Sequence, residues 1–101
     1  MDTVNAVSKV RFASARPQRV HLARNDSQLV EMICLEQGQQ TQVATGPWVY
    51  YVIAGTAKLV SAGQEGMLAP GHLACLGAAE PHTVANAGEG RLICLALGRP
   101  G

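Results

Sequence analysis

WVYYVIAGTAKLV, residues 48–60, is the densest run of β-branched and aromatic side chains in the chain. Such residues suit a pleated, half-buried surface. A period of two places Trp48, Tyr50 and Val52 on one face and Val49, Tyr51 and Ile53 on the other. The break at Ala54–Gly55 reads as the turn of a hairpin whose second strand is TAKLV. The same texture repeats on both sides. LVEMICLEQGQQ, from Leu29, is a β-forming run that stops at Gly38, and SAGQEG, residues 61–66, is a turn cluster. Residues 67–98 are short apolar segments cut by Pro70–Gly71, Gly77, Pro81 and Gly88–Gly90. Gly or Pro interrupts every helical window beyond residue 28. Short strands with turn signals about every eight to twelve residues predict an all-β, antiparallel sandwich or barrel.

The 101 residues suit one domain, 48% hydrophobic and 15% charged, with a net charge of +1. Residues 1–28 read as an N-terminal arm with edge strands, one around Val7–Phe12 and a second β-prone piece at 18–23. Residues 29–98 read as the barrel and 99–101 as a tail. The basic residues, Lys9, Arg11, Arg16, Arg19, Arg24, Lys58, Arg91 and Arg99, are scattered, whereas phosphate backbones call for a concentrated basic surface. Nucleic acid is therefore not expected as a partner. No apolar run approaches the ~20 residues of a membrane helix, and MDTVNAVSKV lacks the apolar core of a secretory signal, so the expected location is cytoplasmic. Cys34, Cys75 and Cys94 are odd in number and far apart, which predicts buried, reduced thiols rather than a disulfide framework or a zinc knuckle.

AEPHTVANAG, residues 79–88, sets His82 between a proline turn and a strand on which His82, Val84 and Asn86 share a face. Together with the run before Gly55, it carries a resemblance. The stretch from Gly38 to Asn86 resembles the cupins, small jelly-roll β-barrels with two motifs, G-x5-H-x-H-x3-4-E-x6-G and G-x5-P-x-G-x2-H-x3-N. In the second motif Gly71, His82 and Asn86 match with every interval kept, while Gly77 stands for the proline and Ala79 for the second glycine. In the first, Gly55 is the closing glycine and Trp48 takes the glutamate's place. The two histidine positions fall on Gln42 and Ala44, or on Thr41 and Val43 at the shorter spacing.

The resemblance implies a cupin-type antiparallel jelly-roll barrel, and an interior where cupins with an intact site hold a divalent metal on three histidines and a carboxylate. His82 is the one retained motif ligand. A catalytic zinc site usually has three protein ligands, so the expectation is no metal cofactor, with the alternative that His21, His72, Cys75 or Cys94 rebuild a site. The expected ligand pocket is His82, Trp48, Tyr50, Gln42 and Asn86: an aromatic wall with a few convergent polar groups. Two blander readings stand beside it. His82 can be a hydrogen-bonded histidine in the barrel mouth, and Trp48 can fill the vacated volume as core. Glu65 and Glu80 read as solvated turn carboxylates, and Glu31 and Glu36 as surface residues on either side of a strand.

Three functions follow: a metal-free module binding a small, partly apolar molecule; a metal-dependent enzyme of dioxygenase or isomerase type with non-standard ligands around His82; or a structural barrel with a filled core. The resemblance further implies a homodimer, formed by packing sheets and exchanging N-terminal strands. Catalytic residues, the ligand itself and the inward or outward direction of Cys75 and Cys94 are left open.

Overall fold

A computed structural model describes residues 1–43 and 46–100. After a 3₁₀ turn at Val7–Lys9, nine strands follow among the described residues: β1 Gln18–Arg24, β2 Leu29–Leu35, β3 Gln40–Val43, β4 Trp48–Ala54, β5 Ala57–Ser61, β6 Gln64–Leu68, β7 Leu73–Leu76, β8 His82–Asn86 and β9 Leu92–Gly98. They form a five-stranded sheet, β1-β2-β9-β4-β7, and a four-stranded sheet, β3-β8-β5-β6. Every pairing is antiparallel, and the two sheets close over one core. The alternation read from residues 48–53 holds: Trp48, Tyr50 and Val52 are buried, while Tyr51 and Ile53 are exposed. In β8 the same period buries His82, Val84 and Asn86.

The hairpin expected at Ala54–Gly55 does not form. β4 pairs with β7 and β9, whereas β5 pairs with β6 and β8 in the other sheet. Gly55 carries the chain between sheets at φ +86, where an added Cβ would stand 2.4 Å from the Arg91 carbonyl oxygen. A glycine turn serves a hairpin and a sheet crossing equally, so local sequence does not separate them. The hairpin lies one turn later. Ala62 and Gly63, at φ 51 and 79, join β5 to β6, the pair of positive φ values that a two-residue type I′ turn requires. Glu65 thus lies in a strand rather than a turn, paired with Lys58 at 3.2 Å.

The strand expected around Val7–Phe12 is also absent. Asn5 accepts the Ser8 amide on Oδ1 at 3.3 Å, and its carbonyl accepts the Ser8 hydroxyl at 2.8 Å. These local bonds give the backbone an alternative to a sheet ladder. The arm is nonetheless fixed: Gln39 Nε2 donates to the Ala13 carbonyl at 2.8 Å, and the Arg91 guanidinium sits 4.5 Å over the Phe12 ring. In β2 both faces are covered. Ile33 and Leu35 belong to the core cluster, and Met32 and Cys34 are fully buried on the opposite face, Cys34 against the Arg11 backbone. Of the three cysteines expected to be buried, Cys75 is exposed. It stands on the outward face of β7, between Ala74 and Leu76, which turn inward.

Candidate functional site

The inward faces of the five-stranded sheet align in rows, because residues opposite one another on paired strands share a face. One row runs Glu31, Ala96, Tyr50, Ala74. The next toward the barrel's interior runs Arg19, Ile33, Cys94, Val52. The row toward the barrel end contains Leu29 opposite Gly98 and Trp48 opposite Leu76. Ala96 is small, so the space between Glu31 and Tyr50 admits side chains from neighbouring rows. Gly98 has a similar effect on Trp48, whose ring would lie 2.7 Å from a Cβ placed there. Trp48 owes its position to that missing side chain.

Arg19 reaches into this space. Its Nε and Nη2 both donate to Glu31 Oε1, at 3.2 and 2.6 Å, and its guanidinium carbon lies 5.3 Å from the Trp48 ring centroid. The pair is sheltered but not sealed, with side-chain exposures of 26% for Arg19 and 20% for Glu31. Trp48 and Tyr50 stack with centroids 6.0 Å apart and planes 13° from parallel, and Tyr50 meets His82 edge to face at 5.3 Å.

From the opposite sheet, His82 closes the cluster. Its Nδ1 is 2.7 Å from the Glu80 carbonyl oxygen and its Nε2 is 2.6 Å from the Tyr50 hydroxyl. A carbonyl only accepts, so Nδ1 carries the proton; in the neutral ring Nε2 then accepts, and Tyr50 donates. Burial pushes the Tyr50 phenol well above its ordinary value, opposed by the Arg19 charge and assisted by Cys94 and Glu31. Tyr50 therefore keeps the proton it gives to His82. Both ring nitrogens are committed, one to backbone and one across the barrel.

Of the expected pocket residues, Trp48, Tyr50 and His82 come together. Gln42 lies beside His82 rather than with the aromatic pair: its Cα partner is Thr83, and with His82, Val60, Ser61 and Thr83 it lines a groove of about 480 Å³. Asn86 shares the inward face of His82, but four residues of strand separate them by about 13 Å. There its Nδ2 donates to the carbonyls of Leu35 and Gly90 at 3.1 and 2.8 Å, and its Oδ1 accepts the Gly88 amide at 3.0 Å. Asn86 closes the turn at the other end of the barrel.

His21 and His72 are exposed, and His72 Nδ1 accepts the Ala69 amide at 3.3 Å. Glu31 corrects an expectation, because it points inward rather than to the surface, as does Arg19, which no motif marks. The period of β2 groups Glu31 with Leu29, Ile33 and Leu35, but Val30, Met32 and Cys34 are equally apolar, so the pattern alone does not choose between faces.

A second, larger groove of about 910 Å³ runs from Trp48, Leu29 and Leu76 onto the outward-facing Val49, Cys75 and Leu97, with Asp26 and Arg99 also on its wall. Trp48 thus touches both the interior cluster and the groove.

The arrangement matches known folds closely. Over 99% of this chain and 98% of the other, the TT1209 protein of Thermus thermophilus superposes with a TM-score of 0.89 at 23% identity. A protein with a double-stranded β-helix domain from Klebsiella pneumoniae gives 0.87 at 22%, over 100% and 91% of the two chains. A cupin superfamily protein from Desulfitobacterium hafniense DCB-2 gives 0.81 at 19%, over 99% and 92%. The chain has the cupin-type double-stranded β-helix fold. No family model and no curated protein sequence matches it.

The cupin fold raises the question of a metal. At the motif positions this chain carries Gln42, Thr41, Val43 and Trp48, and Ala44 lies outside the described residues. Among those described, no group of three or more His, Cys, Asp and Glu side chains is placed to hold an ion. The single motif imidazole has its Nε2 on Tyr50. These donors do not fit a metal, and the chemistry of the cluster is hydrogen bonding and ring contact.

Proposed function

We propose that this cupin-type domain is a metal-independent binding module that holds a small, partly apolar molecule at the barrel end against Trp48. The observation that carries the reading is the position of Trp48: 8% exposed, stacked on Tyr50, and forming part of the wall of the larger groove. Ligand pockets of ~300–1,000 Å³ with apolar walls and few polar groups are typical of small-molecule sites. Leu29 and Leu76 supply walls here, and Asp26 and Arg99 supply the polar rim.

Trp48 is the sole tryptophan, so its emission reports the site directly. Chelator-dialysed protein titrated with a panel of small organic acids, amides and alcohols is expected to show a shift in Trp48 emission and a raised melting temperature for at least one class. Silence on both readouts across the panel would remove the proposal. Binding that appears only after a divalent metal is restored would reverse its metal-independent half.

The closed middle of the barrel favours a second reading, a structural barrel with no ligand. Tyr50, Val52, Val84 and Cys94 are fully buried between the two sheets. The same titration separates the two, because a filled barrel leaves Trp48 unresponsive.

A further inference from the structure

The larger groove has as its floor one cross-strand row on the outer face of the five-stranded sheet. Val30 on β2 stands opposite Leu97 on β9, Leu97 opposite Val49 on β4, and Val49 opposite Cys75 on β7. All four line the groove, and Trp48 and Leu76 reach it at the ends of their strands. The next outward row, Leu95, Tyr51 and Leu73, lies two residues along each strand, about 7 Å away, and outside the groove. Neither row holds a charged side chain. Groove floor and exposed apolar face are therefore one continuous surface.

That surface suits a second copy of this chain. Its strand positions are uncharged and the chain carries a net charge of only +1, so two copies meet with little repulsion. The groove's wall holds one acid, Asp26, and one base, Arg99, neither in an ion pair with a described residue. A two-fold interface sets residue i against j and j against i, so an acid and a base on one wall give each copy the charge that complements the other. A stable interface takes about 800 Å² from each partner, a footprint roughly 30 Å across. A copy seated on Tyr51 and Leu73 thus also lies over the groove floor beside them.

We infer that a second copy of this chain roofs the larger groove, so that the binding site is complete only in the dimer. One copy supplies Trp48 and the floor, and the facing copy closes the open side. This rests on the binding-module reading and adds that ligand binding and self-association are coupled. A molecule held between two copies favours the dimer, and the dimer favours the molecule, by the same factor.

The first test needs no ligand. Cys34 and Cys94 are buried and Cys75 lies on the groove floor, so the rate of labelling by a bulky maleimide reports whether the floor is covered. At a protein concentration about tenfold above the dimer's dissociation constant, labelling of Cys75 is expected to be about fivefold slower than in Leu73→Glu, because only about one chain in five is then monomeric. Leu73 lies outside the groove, so the substitution leaves its walls intact. Tyr51→Glu, in the same outer row, carries the same expectation should Leu73→Glu fail to fold. Labelling at one rate in wild type and variant, at every concentration, would overturn the roof.

The second test titrates benzyl alcohol at millimolar concentration, followed by Trp48 emission and by sedimentation. Emission is expected to shift in the wild type and not in Leu73→Glu, and the alcohol to raise the dimer fraction. An equal emission shift in both proteins would show that one chain completes the site, overturning this inference and leaving the binding module standing. A fall in the dimer fraction would make the alcohol and the second copy competitors for one surface, and overturn it too. A silent wild type would remove the shared site, and the metabolite panel then decides the broader reading separately.

Discussion

The Tyr50 hydroxyl and His82 Nε2, 2.6 Å apart, join the five-stranded sheet to the four-stranded sheet through the middle of the barrel. Tyr50 has no exposure and His82 has 4%, so water does not compete freely for either group. A hydrogen bond in that setting is worth little more than its neighbours while intact, and costs heavily when one partner is removed. The phenol stands in the barrel as a fixed donor, and the imidazole, pinned at Nδ1 by the Glu80 carbonyl, as a fixed acceptor.

Tyr50→Phe leaves His82 Nε2 buried without its donor and is expected to lower unfolding stability by about 1–3 kcal/mol. His82→Leu strands the Tyr50 hydroxyl and is expected to cost a similar amount. The double variant should cost clearly less than the sum, because neither group is then orphaned. Urea unfolding of the four proteins measures this cycle, and strict additivity would mean that the two groups do not depend on each other.

The residues alone disclose the fold and one side of the cluster. The alternation in residues 48–53 and 82–86 shows which residues share a face, and the motif resemblance, by marking position 48 and His82, points that face inward, so Trp48, Tyr50 and His82 are legible. Two things are not. The path of the chain at Gly55 depends on which strand lies beside β4, and that neighbour is β9, about forty residues away in sequence. The inward direction of Glu31 depends on what covers the other face of β2, and the N-terminal arm that packs there carries no periodic pattern. Asn86 misleads in another way, because it shares a face with His82; facing the same way along a strand says nothing about distance.

Gly98→Ala tests how tightly Trp48 is seated. The added Cβ would lie 2.7 Å from the ring, inside any tolerable contact, so the ring must move or the β9 backbone must give. Overpacking of this kind costs about 1–3 kcal/mol. The expected result is a lower melting temperature accompanied by a red-shifted Trp48 emission as the indole is pushed toward solvent. Unchanged stability and emission would show that Trp48 has room to spare, which would weaken the case that its position is built.

Alkaline pH should destabilise the fold through Cys94. Burial pushes its thiol from 9.0 up to about 12, with a smaller opposing effect from a backbone hydrogen bond at Tyr51. The folded state therefore holds the proton more tightly than the unfolded one, and the stability this confers is fully present below pH 9.0 and lost as pH rises toward about 12. Cys34 and Tyr50 are shifted upward by burial as well and act in the same direction. Urea midpoints are expected to fall steadily above the ordinary thiol range, and Cys94→Ala to flatten part of that fall. A midpoint that stays level into strong alkali would contradict the burial of these groups. In the native protein at neutral pH, a bulky maleimide is expected to leave Cys34 and Cys94 unlabelled, since both are buried.

The outward face of β4, β7 and β9 bears on the oligomeric state. Tyr51, Ile53, Leu73 and Leu97 are exposed at 38%, 41%, 59% and 37%, and Val49, Leu95 and Cys75 lie on the same face among them. No Lys, Arg, Asp or Glu interrupts these strand positions. Contiguous apolar surface without charge marks an interaction site, and a patch uniform in character can meet its own copy about a two-fold axis, since such an interface needs only self-complementarity. We expect a homodimer built on this face. Sedimentation or light scattering at micromolar concentration should give twice the chain mass, and Leu73→Glu, which sets a charge in the most exposed position of the patch, should return the protein to monomer without loss of its β-sheet signal. A wild-type mass of one chain would refute the dimer, and a Leu73→Glu protein that stays dimeric would move the interface to another face, with the N-terminal arm the next place to test by truncation.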